Sequence, residues 1–181
     1  MLTPKSLLRN PAVASTPREL EQGRFQSVID DAEARARAKT IRRVVLCSGK
    51  VYVDLISSER RAAATDVALC RVEQLYPFPN ALREVLAGYG NAREVVWLQE
   101  EPENMGAWDY FRPLIEELLD GRCPLHYLGR PRSASPSEGS AAVHQLNQKA
   151  LIERAFETGD GDVEVPRPVA KAVRSLTGSK R

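Results

Sequence analysis

Glu100 and Glu101 are the nearest thing in this chain to a carboxylate pair. A catalytic dyad must share a proton or flank one bond, and neighbours on a strand point to opposite faces. These two are therefore read as part of a charged loop. Ser48-Gly49-Lys50 precedes a helical pattern, where free backbone amides and an ammonium can hold an anion. The chain lacks GxGxxG and GxxxxGKS/T, so a strand-to-helix turn with an exposed lysine is the default reading. Arg130 and Arg132 flank Pro131 ahead of the last helical stretch, and such arginines can grip a phosphate or carboxylate; plain surface arginines are the competing reading. His126 falls in a strand pattern and His144 in a helical one, each read as packed and hydrogen-bonded. Neither has the serine or cysteine context of nucleophilic catalysis. Cys47, Cys70 and Cys123 are odd in number and far apart, without CxxC metal spacing. Two of them lie in apolar runs and are expected as buried, reduced thiols. No catalytic, cofactor-binding or metal-ligating residue is assigned.

The bulk numbers fit one domain with tails: 181 residues, 43% hydrophobic and 28% charged. A net charge of +2 is too near neutral to argue for nucleic acid. The aromatic region around Trp97, Trp108, Tyr110 and Phe111 is acidic, unlike a base-stacking face. Residues 66–120 hold eleven acids against four arginines, which is read as a solvated face rather than a partner surface. The opening residues lack the apolar core of a signal peptide, and no apolar run is long enough to span a bilayer. The expected setting is cytoplasmic, with the mitochondrial matrix left open.

Elements that would position these residues alternate in type. The sequence predicts buried strands over 42–47, 66–72, 94–99 and 125–129. Helices are expected over 50–64, 80–87, 107–120 and 141–156. Thr16-Pro17-Arg18-Glu19 reads as a helix start. Residues 1–11 read as a short extended piece, 25–31 as an apolar stretch of open state, and 32–39 as an exposed helical or frayed connector. Strands alternating with helices imply a mostly parallel sheet covered on both faces. Ligands of such sheets sit at the carboxyl ends of the strands. The corresponding stretches are 47–50, 73–79, 99–108 and 129–136. The organisation expected is an extension and connector over 1–40, a domain over 41–156, and a largely disordered tail over 157–181.

Six blocks, PKSLLRNP, VVLCSGKVYVDL, VEQLYPFP, VVWLQEEPENMGAW, YLGRPRSASPSEG and VHQ, together resemble the carboxy-terminal part of 2-oxoglutarate dehydrogenase E1 chains. The resemblance covers residues 3–156. It implies a three-layer α/β/α domain similar to the transketolase carboxy-terminal domain, whose five-stranded sheet is mostly parallel with one edge strand reversed. The implied enzyme decarboxylates 2-oxoglutarate oxidatively and passes a succinyl group to the lipoyl arm of an E2 succinyltransferase. It holds thiamine diphosphate and Mg²⁺ through a GDG…NN motif. Gly159-Asp160-Gly161 spells GDG without a following Asn and is read as coincidence, so no cofactor is expected on this chain. The family's cofactor domains would precede Met1, which makes the chain a fragment, a split-gene product or an excised domain. The implied partners are the remaining E1 domains or a second E1 copy, and E2. Some relatives bind an acetyl-CoA or nucleotide effector in this domain; carried over, that site falls near Ser48, Lys50, Gln74, Gln99 and Arg130. Alone, the domain is expected to expose an apolar patch around Trp108 and Phe111 and to self-associate.

Overall fold

A computed structural model describes residues 4–158. Five strands form one sheet: β1 (Val28–Ile29), β2 (Arg43–Cys47), β3 (Val67–Val72), β4 (Glu94–Pro102) and β5 (Leu125–Arg130), in the order β1-β3-β2-β4-β5. β2 pairs in parallel with β3 and β4, and β4 with β5. The edge strand β1 is antiparallel to β3, with Val28 opposite Val72. Among the described residues there are seven α-helices: α1 (Pro17–Gln22), α2 (Ala32–Ala36), α3 (Val51–Ile56), α4 (Arg60–Ala63), α5 (Ala81–Ala87), α6 (Trp108–Leu119) and α7 (Ala141–Ala155). No helix among the described residues is long and apolar enough to cross a membrane.

The strands are apolar on both faces because helices cover both. Val44, Leu46, Val95 and Trp97 point into a core built with α2, α5 and α6. Their neighbours Val45, Cys47, Val96 and Leu98 point into a second core built with α3 and α7. This period-two division is what a buried central strand requires, and it gives the expected three-layer α/β architecture.

Several local expectations change. Over its described residues, 4–11, the opening stretch is not simply extended: 3-10 turns form at Lys5–Leu7 and Pro11–Val13, the second capped by the Asn10 side chain accepting from Ala12 N at 2.9 Å. The stretch over 25–31 contributes β1. The segment 32–39 is helical over Ala32–Ala36 and partly exposed, yet it is tied to the core. α2 buries Ala34 completely, and Asp31 caps it while also accepting from Leu69 N at 3.0 Å and ion-pairing with Arg61 at 2.6 Å. The single helix expected over 50–64 breaks at Ser57–Ser58, because the Ser58 hydroxyl accepts from Arg60 N and so competes with the helical ladder. β4 runs on to Pro102, which puts Glu100 and Glu101 in a strand rather than a loop.

The patch expected around Trp108 and Phe111 is absent from the surface. Both are buried, since the apolar stripe of α6 turns inward: Phe111 stacks on Trp97 at 4.7 Å, and Trp108 packs on Tyr127 at 5.3 Å. Of the expected tail, Glu157 and Thr158 are described, and Thr158 hydrogen-bonds Asp66 at 2.8 Å. Residues 159–181, including the Gly159-Asp160-Gly161 triplet, lie outside the described residues.

Candidate functional site

The carboxyl ends of β2, β4 and β5 meet one face of α7, and there the side chains form a continuous polar network. Lys50 lies just beyond β2, after the Ser48-Gly49 turn in which Gly49 takes a φ of +70°, a conformation that favours glycine. Its ammonium contacts Asp54 one turn on in α3 and lies 3.8 Å from Glu100. Arg130, the last residue of β5, reaches four partners, one of them His144 Nδ1 at 3.2 Å from Nη2. Nη1 donates to the Glu100 carbonyl at 2.6 Å, Nε to Glu138 at 2.7 Å, and Nη2 to the Gln148 side-chain oxygen at 3.2 Å.

Gln148 ties the two cations together. Its amide donates to Asp54 at 3.0 Å and to Glu100 at 2.7 Å while its oxygen accepts from Arg130. Glu138 also accepts from Asn147 at 2.7 Å, and His144 Nδ1 lies 2.9 Å from its other oxygen. Burial pushes the Glu138 carboxyl up, but hydrogen bonds from Arg130, Asn147 and His144 outweigh it and hold the group below its ordinary value. The network thus sets two cations, Lys50 and Arg130, against three carboxylates, Asp54, Glu100 and Glu138. An anion arriving here would have to displace carboxylates already in contact with both cations.

An open groove of about 620 Å³ runs beside this network between α3–α4 and α7, lined in part by Asp54, Arg60, His144, Gln148 and Ile152. The imidazole in its wall, His144, faces Glu138 and Arg130, neither of which is the hydroxyl or thiol that an imidazole base activates. The thiol nearest the strand ends, Cys47, is fully buried and its pKa is pushed up to about 12 by that burial, so it is a core group rather than a reactive one.

Of the five residues singled out from the sequence, the structure brings two together. Lys50 and Arg130 share the network through Glu100 and Gln148. Ser48 stands half-buried in the turn beside it. Gln74 is used locally, donating to the Pro77 carbonyl at 2.8 Å across the turn that contains the cis Tyr76-Pro77 peptide. Gln99 points inward and is 2% exposed. Its oxygen accepts from Trp97 Nε1 at 2.9 Å and Trp108 N at 3.2 Å, and its nitrogen donates to the Met105 and Pro102 carbonyls at 2.7 and 3.1 Å. It braces the β4–α6 loop. Arg132 is exposed.

Sequence reasoning missed Asp54, Glu138, Asn147 and Gln148. Two spacings point to them: Lys50 and Asp54 are four apart, and His144, Asn147 and Gln148 follow the i, i+3, i+4 rule that lines one helix face. Glu100 and Glu101 do diverge as strand neighbours must: Glu100 joins the network, while the Glu101 side chain is exposed.

Residues 14–156 match the family model described as 2-oxoglutarate dehydrogenase C-terminal. The chain is 48% identical over 158 residues to the 2-oxoglutarate dehydrogenase E1 component of Cupriavidus necator, covering 86% of this chain and 16% of that protein. It is 44% identical over 156 residues to the E1 component of Haemophilus influenzae, covering 86% and 17%, and 40% identical over 158 residues to that of a Geobacillus species, covering 86% and 17%. The chain therefore spans about one-sixth of the length of the relatives it matches.

Proposed function

The chain belongs to the 2-oxoglutarate dehydrogenase C-terminal family, and from that premise we propose that it serves as the carboxy-terminal domain of a thiamine-dependent 2-oxoglutarate dehydrogenase E1, a structural and regulatory part that does no chemistry alone. The observation that carries this reading is coverage. The match takes in every strand and helix from α1 to α7, yet about five-sixths of each relative lies beyond it. The polar network supports the same reading, since its acids and bases neutralise one another and lock α7 over the strand ends.

In the whole enzyme, 2-oxoglutarate is decarboxylated oxidatively and the succinyl group passes to the lipoyl arm of an E2 succinyltransferase. Thiamine diphosphate, held by Mg²⁺, supplies the electron sink when bound. Magnesium needs converging oxygen ligands, and among the described residues no three Asp, Glu, His or Cys side chains are grouped to hold a metal. No step of the role proposed for this chain runs through that cofactor.

The test is a pull-down of the tagged full-length chain from its native extract, with mass spectrometry and a 2-oxoglutarate dehydrogenase assay on the eluate. The expected result is recovery of the remaining E1 chain together with activity and E2. Recovery of the tagged chain alone would overturn the proposal.

A further inference from the structure

The carboxyl edge of the sheet is finished in two different ways. Over β2, β4 and β5 the polar network and α7 close it. Over β3 and the start of α6 it stays open, and the groups exposed there are aromatic. Tyr76 is 81% exposed, Tyr110 40% and Leu75 38%. The two tyrosine rings lie 6.0 Å apart, although one belongs to the turn after β3 and the other to the first turn of α6. Behind them Tyr110 meets Phe111 edge-on at 5.6 Å, and Phe111 packs against Phe78 at 5.2 Å. The exposed pair is the outer end of an aromatic series rooted in the core, so its position is set before any partner arrives, which lowers the ordering cost of binding. Isolated apolar groups on a surface are ordinary, but tyrosines joined across two elements are the residue type that anchors interfaces.

We infer that the Leu75–Tyr76–Tyr110 face is the surface on which the rest of an E1 chain docks. The inference rests on the function proposed above. Two observations name the occupant. The relatives carry, in one polypeptide, about five-sixths of their length beyond the part that this chain matches, and a domain inside such a chain buries surface against its neighbours. The same end of the sheet also carries Glu101, Glu103 and Asp109, beside a Glu73 that Arg71 already pairs at 2.7 Å, so the covering surface presents apolar groups bordered by lysine or arginine. A second copy of this chain, meeting it face to face, would set two acidic borders against each other and is disfavoured.

The experiment uses the chain with Tyr76→Ser and Tyr110→Ser combined, checked for an unchanged circular dichroism spectrum and melting curve, because Tyr110 also rests on the buried Phe111. In the pull-down, the recovered E1 chain is expected to fall about tenfold or more, the scale of losing interface anchors. A control pair, Leu20→Ser with Phe25→Ser, removes exposed apolar groups of the segment before β1 (77% and 71% exposed) and is expected to leave recovery unchanged. Recovery of E1 at the unsubstituted level by the tyrosine variant would overturn this inference and leave the proposed function standing. So would loss of recovery with the control pair alone. A tyrosine variant that changes only the chain's own oligomeric state would overturn it in favour of a second copy. Failure of the unsubstituted chain to recover E1 would remove the proposed function and this inference with it.

Discussion

Arg43 is a guanidinium 1% exposed in the central strand, and it persists there because all its neighbours answer it. Nε donates to Glu94 at 2.9 Å, and Nη1 donates to the Arg154 carbonyl at 2.8 Å, satisfying one of the free carbonyls at the end of α7. Breaking such a pair from one side leaves the other charge buried without compensation, which costs about 3–5 kcal/mol. Arg43→Ala is expected to lose stability on that scale in urea unfolding, and Arg43→Met with Glu94→Leu to lose clearly less, because the stranded charge goes too. Equal losses in the single and double variants would contradict this account. Residue chemistry of this kind was poorly legible in the sequence. Gln99 and Lys50 both read as polar groups at strand ends, yet the Gln99 amide is consumed inside the β4–α6 loop while the Lys50 ammonium is held by Asp54 and lies near Glu100. Which way a side chain turns is set by contacts from distant parts of the chain: Gln148 reaches Asp54 across 94 positions, and no local pattern encodes that.

Elements were more legible where they carry strong apolar runs, since β2, β3, β4 and β5 lie within a few residues of where their patterns put them. They were less legible where tertiary contacts decide. β1 is two residues long and exists because β3 offers it an edge and Asp31 ends it. α7 shows how an element with little apolar contrast is held. Only Leu151 and Ala155 along it are buried, and its first half is pinned through His144, Asn147 and Gln148 to the strand ends. Glu138 is central to that attachment, and its carboxyl sits below its ordinary value of 4.5. A group with a depressed folded pKa stabilises above the unfolded value and loses that contribution as pH falls through the folded one. Protection of the amides in the first turns of α7, measured against their intrinsic exchange rates, is therefore expected to fall below about pH 4.5 ahead of protection in β2. Glu138→Gln should weaken α7 by about 1 kcal/mol at neutral pH, as charged hydrogen bonds become neutral ones, and flatten the acid dependence. A variant that keeps the full acid response would show that another carboxylate controls the helix.

At the scale of the whole molecule, the two cores share one sheet, so the two faces should open together. β2 is buried along its entire length and sits between β3 and β4, and removing either helical layer would expose alternate residues of every parallel strand. The three free cysteines sample this arrangement at different depths. Cys47 lies in β2 facing α3 and α7, Cys70 lies in β3 facing the opposite core, and Cys123 sits half-buried in the connection between α6 and β5. Burial raises all three thiols, Cys47 to about 12, so a native-state reagent meets little thiolate at any of them. Access then decides the order. Cys123 is expected to react first with a thiol reagent at neutral pH, through local opening. Cys47 and Cys70 should react later and at one common rate, which rises with urea along the slope of global unfolding. Because the two thiols report from opposite faces, that common rate is the signature of a single cooperative unit. Cys70 reacting well ahead of Cys47 would mean instead that the β1–β3 edge, held by a two-residue strand, opens independently of the centre.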